Sequence, residues 1–368
     1  MNNQKEKYYF NINIPHDDKI SVRGSPTPAV FSTVRNQSLL KNNTRDYNMS
    51  VVRFTIPTTY IPIQFFPVIP NPTDLSDVNY SIFAITLRYQ GIDYTEHLRW
   101  IPQNKDAPIP PPPQQGNSFY PNPIYAEYYS LYSFNHFVYI LNTAIKKCFD
   151  LRILPLLNPT QGKTYNAPLF QFDGSTFLFS AFVSDLFLES TGNKVELFFN
   201  TALNTNFDTS FNTEFYDFTV PYKNVRYVFM PYLETNRIID TTEESGFLYK
   251  YQQEFDTTGQ ITSFRNIIIR SNTIPIRSEG LTTQTGTNSS EIQNILTDFE
   301  IDQGSLRNQK SFIHYIPTAE YRRINLTGDS PLQNISLEIL WGDRFDNFYP
   351  VLIPAHDKAS VKLYFEEI

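Results

Sequence analysis

Three alternating carboxylates in the segment TDFEIDQG are the residues of this sequence best placed for chemistry. Asp298, Glu300 and Asp302 would share one face of a β-strand, because successive side chains of a strand point to opposite sides. Such a face could bind a hard cation such as Ca²⁺, or supply the carboxylate pair of a glycosidase. The same alternation arises without any site if Phe299 and Ile301 face a core while the carboxylates face water. We favour this second interpretation.

The five histidines and the single cysteine form no catalytic or metal-binding pattern. No two histidines are spaced as zinc ligands on a strand or helix would be. His136 lies beside Phe137 in a predicted helix, which indicates a partly buried, hydrogen-bonded imidazole. Cys148 follows Lys146 and Lys147, whose charges could lower its pKa. It lies on the apolar side of that helix, however, and we predict a small buried side chain.

Sequence motifs of common enzyme families are also absent. The chain contains no glycine-rich phosphate loop, no G-x-S-x-G, no H-E-x-x-H and no kinase signature. We therefore expect no catalytic residues, no metal and no cofactor. With 30 basic and 37 acidic residues the net charge is −7, which disfavours specific nucleic-acid binding. The first fifty residues carry seven basic and four acidic side chains, which predicts a weakly basic arm.

The composition predicts an all-β protein. The 31 Phe and 24 Tyr favour half-buried strands, and 26 Pro with only 13 Gly indicate many turns and few helices. Two strands are predicted to turn near Gly91. The segment EYYSLYSFNHFVYILNTAIKKCFD, residues 127–150, has the spacing of an amphipathic helix. Apolar and polar residues alternate clearly in 335–341 and 361–366, as expected for strands that cover a core.

The segment VVRFTIPTTYIPIQFFPVIP, residues 51–70, is apolar enough for a core strand but contains four prolines. Proline cannot donate a ladder hydrogen bond, so we predict that this segment lies at a sheet edge. The residues predicted at this edge are Pro57, Tyr60, Pro62, Phe65 and Phe66.

The predicted organisation is an N-terminal arm, a core and an elaborated middle region. Residues 1–50 form the arm, and residues 51–105 and 261–368 form the core. Residues 106–260 form an insert that contains the helix and the proline tract 107–116. The polar segment 203–215 is a predicted surface loop, and the polar segment 279–291 is predicted to be a surface loop or disordered. We expect deletion of residues 1–50 to leave a folded body. No signal peptide or membrane span is evident.

The two ends of the chain carry a family resemblance. FRNIIIRSNTIPIRSEG (264–280), ILTDFEID (295–302) and the closing segment from Tyr315 to Ile368 resemble the penton, or minor capsid, proteins of virophages and of polinton and polinton-like viruses. EYRRINL, the strand ending in Trp341 and the final VKLYF carry most of this likeness. Arg53 to Ile63 is similar to the first core strand of the same family.

This resemblance implies a jelly-roll β-sandwich that forms homopentamers at the five-fold vertices of an icosahedral virion. It implies contacts with the major capsid protein and with other minor capsid proteins, and no catalytic residues. It also implies that the predicted edge residues Pro57, Tyr60, Pro62, Phe65 and Phe66 contact a neighbouring subunit. The arm would face the interior, and loops such as 203–215 would face outward. The protein would be made in the host cell without a signal peptide and become part of the capsid vertex.

Two other functions fit the residues alone. The first is a β-sandwich spike module that binds a receptor or a glycan through tyrosine-rich loops such as SFYPNPIYAEYYSLY. The second is a hydrolase that uses Asp298 and Glu300. The sequence does not decide whether Asp298, Glu300 and Asp302 bind a cation.

Overall fold

The computed structural model of the chain describes residues 5–17, 25–67, 82–104, 128–157, 165–187, 194–207, 213–216, 226–229, 238–239, 249–277, 280–283, 290–300, 312–316, 322–343 and 348–368. The N-terminal strands are β1 (Lys7–Pro15), β2 (Thr27–Pro28), β3 (Val30–Val34) and β4 (Tyr47–Pro57). The middle strands are β5 (Gln64–Pro67), β6 (Ala84–Tyr89), β7 (Ile92–His97), β8 (Tyr128–Leu131), β9 (Leu169–Asp173), β10 (Leu178–Val183), β11 (Val195–Asn200), β12 (Thr213–Tyr216), β13 (Arg226–Phe229), β14 (Ile238–Ile239) and β15 (Tyr249–Gln252).

The C-terminal strands are β16 (Phe264–Arg270), β17 (Gly280–Thr283), β18 (Ser290–Gln293), β19 (Ile295–Glu300), β20 (Phe312–Tyr315), β21 (Ile324–Asn325), β22 (Asn334–Asp343), β23 (Phe348–Pro350), β24 (Leu352–Ile353) and β25 (Lys358–Glu367). The helices are α1 (Phe134–Cys148), α2 (Thr201–Phe207) and α3 (Thr258–Ile261). A π-turn (Phe149–Ile153) and a 3₁₀ turn (Leu154–Leu156) continue α1, and single 3₁₀ turns occur at Thr44–Asp46 and Asp185–Phe187. No helix in the described ranges is long and apolar enough to cross a membrane.

The chain folds as two compact units. The first contains the described residues up to Ile61 and from Phe264 onward, and the second contains those from Pro62 to Ser263. The sequence prediction placed these boundaries at 105/106 and 260/261, so the main difference concerns residues 62–105. That segment belongs to the second unit because β6 pairs with β11 and β7 pairs with β6.

The first unit is a sandwich of two antiparallel sheets. Sheet 1 has the order β1-β25-β4-β20, with β21 also paired to β4. Sheet 2 has the order β19-β16-β22-β23, with β3 also paired to β22. The sets β1-β25-β4-β20 and β3-β22-β16-β19 together give the eight strands of a jelly roll. This confirms the predicted all-β jelly roll, and it places the second unit between β4 and β16.

The alternating strands near the C-terminus line the interior of this sandwich, as predicted. Ile335, Leu337 and Ile339 of β22 are at most 2% exposed. Val361, Leu363 and Phe365 of β25 are equally buried. Their polar neighbours on the same strands face outward, because side chains alternate along a strand.

The predicted N-terminal arm is wrong where the structure describes it. All nine residues of β1 pair with β25, and β3 pairs with β22 along its full length. Phe10, Ile12 and Ile14 alternate with Asn11 and Asn13, which is the strand pattern that the sequence analysis overlooked. Deletion of residues 1–50 would therefore remove two of the eight jelly-roll strands, so the structure argues against the expectation of a folded remainder.

The second unit packs helix α1 among sheets. One sheet has the order β14-β15-β10-β9, another has the order β12-β13-β11-β6-β7, and β5 pairs with β8. Phe137, Leu141 and Ile145 of α1 are fully buried in this core. Aromatic rings fill much of the same core, and Phe199 stacks on Phe207 with ring centres 5.4 Å apart. The high phenylalanine content thus serves packing in the second unit.

Two local predictions in this unit are wrong. The helix begins at Phe134 and not near residue 127, because residues 128–131 form β8 and pair with β5. The segment 203–215 is not a loop at its start, since Leu203 and Phe207 of α2 are fully buried. Its residues 213–216 form β12, and residues 208–212 lie outside the described ranges.

Turn predictions had mixed outcomes. The strands flanking Gly91, whose φ is +77°, form the predicted hairpin β6–β7. The ends of segment 279–291, predicted as a surface loop, pair instead as the hairpin β17–β18. Helix α3 separates β15 from β16, and these two strands join different sheets. The proline tract 107–116 lies outside the described residues.

Candidate assembly surfaces

The first half of segment 51–70 forms the centre of sheet 1. Phe54 is paired with Val361 of β25 on one side and with Tyr315 of β20 on the other. Thr55 is likewise paired on both sides. The prediction that this segment lies at a sheet edge is therefore wrong for β4. Pro57 is the last residue of the strand, where its missing N–H costs no ladder bond between β4 and β25.

The five predicted contact residues differ in exposure. Pro57, Pro62 and Phe66 are buried, and Phe66 is only 1% exposed. Tyr60 and Phe65 are half-buried and keep some accessible surface. Phe65 and Phe66 lie on β5, which pairs only with β8 among the described strands and so meets the edge prediction. A contact with another subunit remains a prediction for Tyr60 and Phe65.

The open edge of sheet 1 is strand β1. Glu367 donates its N–H to the carbonyl of Glu6, and His16 donates its N–H to the carbonyl of Asp357. In the stretch 6–16, the even-numbered residues thus direct their backbone N–H and C=O groups toward β25. The odd-numbered residues direct these groups away from it, to the open edge. Within the described part of the chain no other strand pairs with this edge. Lys7 and Pro15 lie at the two ends of this strand. Lysine and proline at an exposed sheet edge are residue types that limit edge-to-edge aggregation.

The outward side of sheet 1, which we call the basic face, concentrates positive charge. The register places Lys7, Tyr364, Lys362, Arg53 and Lys358 on this side. Arg323 joins them through its contact with Glu366. The cations and the carboxylate of this face are Lys7, Arg53, Arg323, Lys358, Lys362 and Glu366, which gives a formal charge of +4. The rest of the chain must then be strongly acidic, because the total is −7.

Among the described residues, only part of this charge is neutralised. Glu366 accepts contacts from Lys7 at 3.4 Å and from Arg323 at 3.5 Å. The hydrogen bond with Glu366 raises the pKa of Lys7. Burial acts to raise the pKa of Glu366, but the hydrogen bonds from Lys7 and Tyr364 outweigh it and lower that pKa. Arg53 and Lys358 form no ion pair with any described residue.

A stacked aromatic pair with one exposed ring lies in the middle of the basic face. The rings of Tyr9 and Tyr364 stack with centres 4.8 Å apart, and Tyr9 is 55% exposed. The ammonium group of Lys362 lies 4.9 Å from the centre of the Tyr9 ring, within cation–π range. The face therefore combines apolar ring surface with unneutralised cations, a combination typical of surfaces that bind a partner.

The outward side of sheet 2, which we call the opposite face, differs in character. Val30 and Val34 of β3 are 53% and 75% exposed. The register also places three carboxylates and one guanidinium on this side, and these residues are Glu338, Asp298, Glu300 and Arg270. At its centre, Ile268 and Leu340 are covered by the chain itself, at 2% and 4% exposure. The accessible parts are thus the β3 side and the β19 side.

The carboxylates singled out in the sequence are exposed and paired with arginine. Asp298 lies 3.2 Å from Arg322, and Glu300 lies 3.9 Å from Arg265. Phe299 points inward, with its ring centre 3.9 Å from that of Tyr315, as the favoured interpretation of the alternation requires. Asp302 lies outside the described residues. Among the residues that the structure does describe, no three His, Cys, Asp or Glu are grouped to hold a metal.

The predictions for the helix side chains are confirmed. His136 is 7% exposed, and its Nε2 lies 2.6 Å from the carbonyl oxygen of Ile101. Cys148 is 3% exposed and donates its S–H to the carbonyl of Tyr94 at 3.3 Å. Burial raises the pKa of the Cys148 thiol to about 11, so this group is protonated at neutral pH. Both side chains serve the packing of the second unit.

A further exposed apolar patch follows helix α1. Leu151, Leu154 and Leu156 are 62%, 42% and 49% exposed. Ile153, which lies between these leucines in the chain, is instead fully buried. Three exposed leucines within six residues exceed the scattered apolar residues of an ordinary surface.

Sequence reasoning missed the basic face entirely. Its residues come from strands that are far apart in the chain, and only the order β1-β25-β4 brings them together. The available signal was the alternation of Lys358 and Lys362 with apolar residues in the last strand, which shows that both face outward. Arg53 and Lys7 could not be added without knowing the strand order.

Comparison with known proteins identifies relatives over nearly the whole chain. The model of the family described as Sputnik minor capsid protein V18/19 matches residues 8–367. Uncharacterized protein V18 of Sputnik virophage is 29% identical over 147 residues, which are 40% of this chain and 84% of that protein.

Two solved structures share the fold. A chain of the Sputnik virophage structure at 3.5 Å by cryo-electron microscopy superposes with a TM-score of 0.78 at 24% identity, covering 99% of this chain and 98% of that chain. The crystal structure of the mavirus penton protein gives a TM-score of 0.64 at 15% identity, covering 99% of this chain and 100% of that chain.

Proposed function

Since this chain belongs to the Sputnik minor capsid protein V18/19 family, we propose that it is a penton subunit, a structural protein of the virion. The family match from residue 8 to residue 367 is the observation that carries this proposal. The resemblance to penton proteins found in the sequence points the same way. The jelly roll, with its inserted second unit, is also the fold shared with the mavirus penton protein.

The role is structural and not enzymatic. The only carboxylate pair that suggested catalysis, Asp298 and Glu300, is exposed and paired with Arg322 and Arg265. The imidazole of His136 and the thiol of Cys148 are enclosed in the core, where neither reaches a substrate. These placements support a protein whose function lies in its surfaces.

The partners are copies of the chain itself and other capsid proteins. Five subunits form a ring at each five-fold vertex of an icosahedral shell, and the ring contacts the major capsid protein around it. The basic face, the exposed valines of β3 and the exposed leucines after α1 supply candidate contact surfaces. A closed ring needs two different surfaces on every subunit, and the sandwich offers two of unlike character.

The experiment that tests this function is a cryo-electron microscopy reconstruction of virus particles that carry the chain. We expect density at the five-fold vertices that fits this jelly roll with its insert, and a different protein elsewhere in the shell. A particle without the chain at its vertices would overturn the proposal. A stable monomer that binds a defined glycan would instead favour a receptor-binding module.

A further inference from the structure

We propose that the open edge of strand β1 binds an extended acidic segment of a partner protein, which adds one strand to sheet 1 beside the basic face. The edge and the face both belong to the first unit. This inference goes beyond the proposed pentamer and does not depend on it, since every single subunit carries the edge. The acidic residues of the segment would approach the cations that lie nearest to β1.

The backbone of β1 supplies the hydrogen-bonding part of this site. Tyr9, Asn11 and Asn13 direct their N–H and C=O groups to the open edge, because the even-numbered residues between them bond to β25. Among the described residues, none pairs with these outward groups. A row of unpaired donors and acceptors is a template for an added strand, which binds through main-chain hydrogen bonds. Pro15 has no N–H and ends the usable edge.

The side chains along this edge determine the charge of the segment that fits it. Lys7 lies on β1 itself, and its side chain is 54% exposed although Glu366 lies 3.4 Å away. Lys362 lies opposite Asn11, and its ammonium group reaches over β1 to 4.9 Å from the centre of the Tyr9 ring. Glu366 is the only carboxylate that the described register places beside these cations. An acidic segment is therefore complementary to the edge, whereas a basic segment would be repelled.

Two aromatic rings at the edge add apolar surface to the site. Tyr9 is 55% exposed and lies between Lys7 and Asn11 on the outward side of the strand. Phe10 points to the inner side of the sandwich but is only half-buried, because no described strand lies beyond β1 to cover it. An added strand would cover part of both rings, and removal of apolar surface from water favours association.

These positions predict a residue pattern for the bound segment. Alternate side chains of a strand lie on one face, roughly 7 Å apart. A segment in register with β1 would place one acid beside Lys7, an aromatic residue beside Tyr9 and a second acid beside Asn11, on the side to which Lys362 leans. The predicted pattern is thus acid-x-aromatic-x-acid.

The same edge favours a peptide over a nucleic acid. Its outward backbone groups alternate between N–H donors and carbonyl acceptors. Phosphate oxygens accept hydrogen bonds and donate none, so a phosphate backbone would leave the carbonyls of the edge unpaired. A peptide strand offers both kinds of group at the same spacing.

Fluorescence anisotropy with the full-length chain and a labelled peptide tests the inference. The probe is the peptide Thr-Glu-Thr-Tyr-Thr-Glu-Thr. One control peptide carries Lys in place of each Glu, and a second has its three central residues N-methylated. We expect saturable binding of the unmodified acidic peptide only. N-methylation removes main-chain donors and keeps the charges, so it separates strand pairing from simple charge attraction.

Three variants of the chain locate the site. Asn11→Pro removes an outward N–H and obstructs an added strand without costing a bond to β25, so affinity for the acidic peptide should fall more than about tenfold. Lys7→Gln with Lys362→Gln removes two cations and should lower the affinity about five- to tenfold. Lys146→Gln with Arg152→Gln makes the same change in net charge on exposed residues of the second unit and should leave binding unchanged.

Thermal unfolding of each variant checks that the subunit folds. If Asn11→Pro does not fold, the N-methylated peptide still tests strand pairing on the wild-type chain. Equal binding of the methylated and unmethylated peptides would overturn the inference, because charge alone would then explain the affinity. A folded Asn11→Pro variant with unchanged affinity would place the peptide elsewhere and overturn it as well.

Two further results would assign the edge to another occupant. Binding of a labelled single-stranded oligonucleotide by a chain that does not bind the acidic peptide would assign the cations to nucleic acid. Self-association that Asn11→Pro abolishes, again without peptide binding, would assign the edge to a second copy of the chain. Either result contradicts the inference. A wild-type chain that binds the peptide at this edge but forms no pentamer would refute the proposed function and support the inference.

Discussion

Lys362 on β25 lies directly opposite Arg53 on β4, and its ammonium group rests 4.9 Å from the centre of the Tyr9 ring. Two cations thus lie side by side in the middle of sheet 1. The face of the Tyr9 ring offsets part of the charge of Lys362 through a cation–π contact. Such a pair weakens the isolated subunit slightly and strengthens its attraction for an acidic surface.

The first prediction separates these two effects. Arg53→Thr removes the repulsion, so we expect the free energy of unfolding to rise or stay equal, by at most about 1 kcal/mol. Because the basic face is a proposed contact surface of the ring, we expect the same substitution to lower the pentamer fraction. Urea unfolding and mass photometry measure the two quantities. A variant that is less stable yet assembles normally would contradict the inferred role of Arg53.

The second prediction concerns the centre of the sandwich. Phe54 is 2% exposed, with ring centres 4.8 Å from Phe299 and 5.3 Å from Tyr315. Phe54→Ala should therefore destabilise the first unit by about 3–5 kcal/mol in urea unfolding. Tyr9→Ala is the matched control, because that ring is exposed and its loss should cost less than about 1 kcal/mol. Equal costs for the two substitutions would mean that Phe54 is not a core residue.

The third prediction is a pH dependence at the β9–β10 turn. Asp173 accepts hydrogen bonds from the N–H and hydroxyl of Ser175 and from the hydroxyl of Thr176, which lower its pKa to about 2. A carboxyl whose pKa is lower in the folded state contributes stability above its unfolded pKa. That contribution is lost as the pH falls from about 4 toward 2.

The variant Asp173→Ala tests this dependence. Its unfolding temperature should be lower than that of the wild type at pH 6, and the difference should shrink between pH about 4 and 2. Circular dichroism melting curves across this range measure it. A difference that stays constant down to pH 2 would show that the carboxylate does not act through its charge.

The fourth prediction concerns Cys148. Its thiol is buried and its pKa is raised to about 11, so the reactive thiolate is scarce at pH 8. We expect a thiol reagent such as Ellman's reagent to leave the folded protein unmodified and to label one thiol per chain in guanidinium chloride. Rapid labelling of the native protein would show that this part of the second unit opens readily.

The fold class was predictable because it depends on composition and local alternation. Strands such as β22 and β25 show their apolar side directly in Ile335, Leu337, Val361 and Leu363. The strand β1 was missed because its alternation is diluted by Tyr9, whose ring faces outward. The start of α1 was misjudged because Leu131 fits the apolar helix spacing, although it lies in β8 and is buried there.

The candidate surfaces were much less predictable. The prolines of segment 51–70 suggested an edge, but Pro57 only ends β4, whose preceding residues Phe54 and Thr55 are paired on both sides. The basic face depends on which strands become neighbours, and neighbours such as β1 and β25 come from opposite ends of the chain. Local sequence patterns carry no information about such distant pairing.

The most direct test of the central claim is electron microscopy of the purified full-length chain in negative stain. A penton subunit should give class averages of closed rings with five-fold symmetry, and native mass measurement of the same sample should give five 42.8 kDa chains. Single 42.8 kDa particles at all concentrations and salt conditions, or rings of another symmetry, would contradict the assignment.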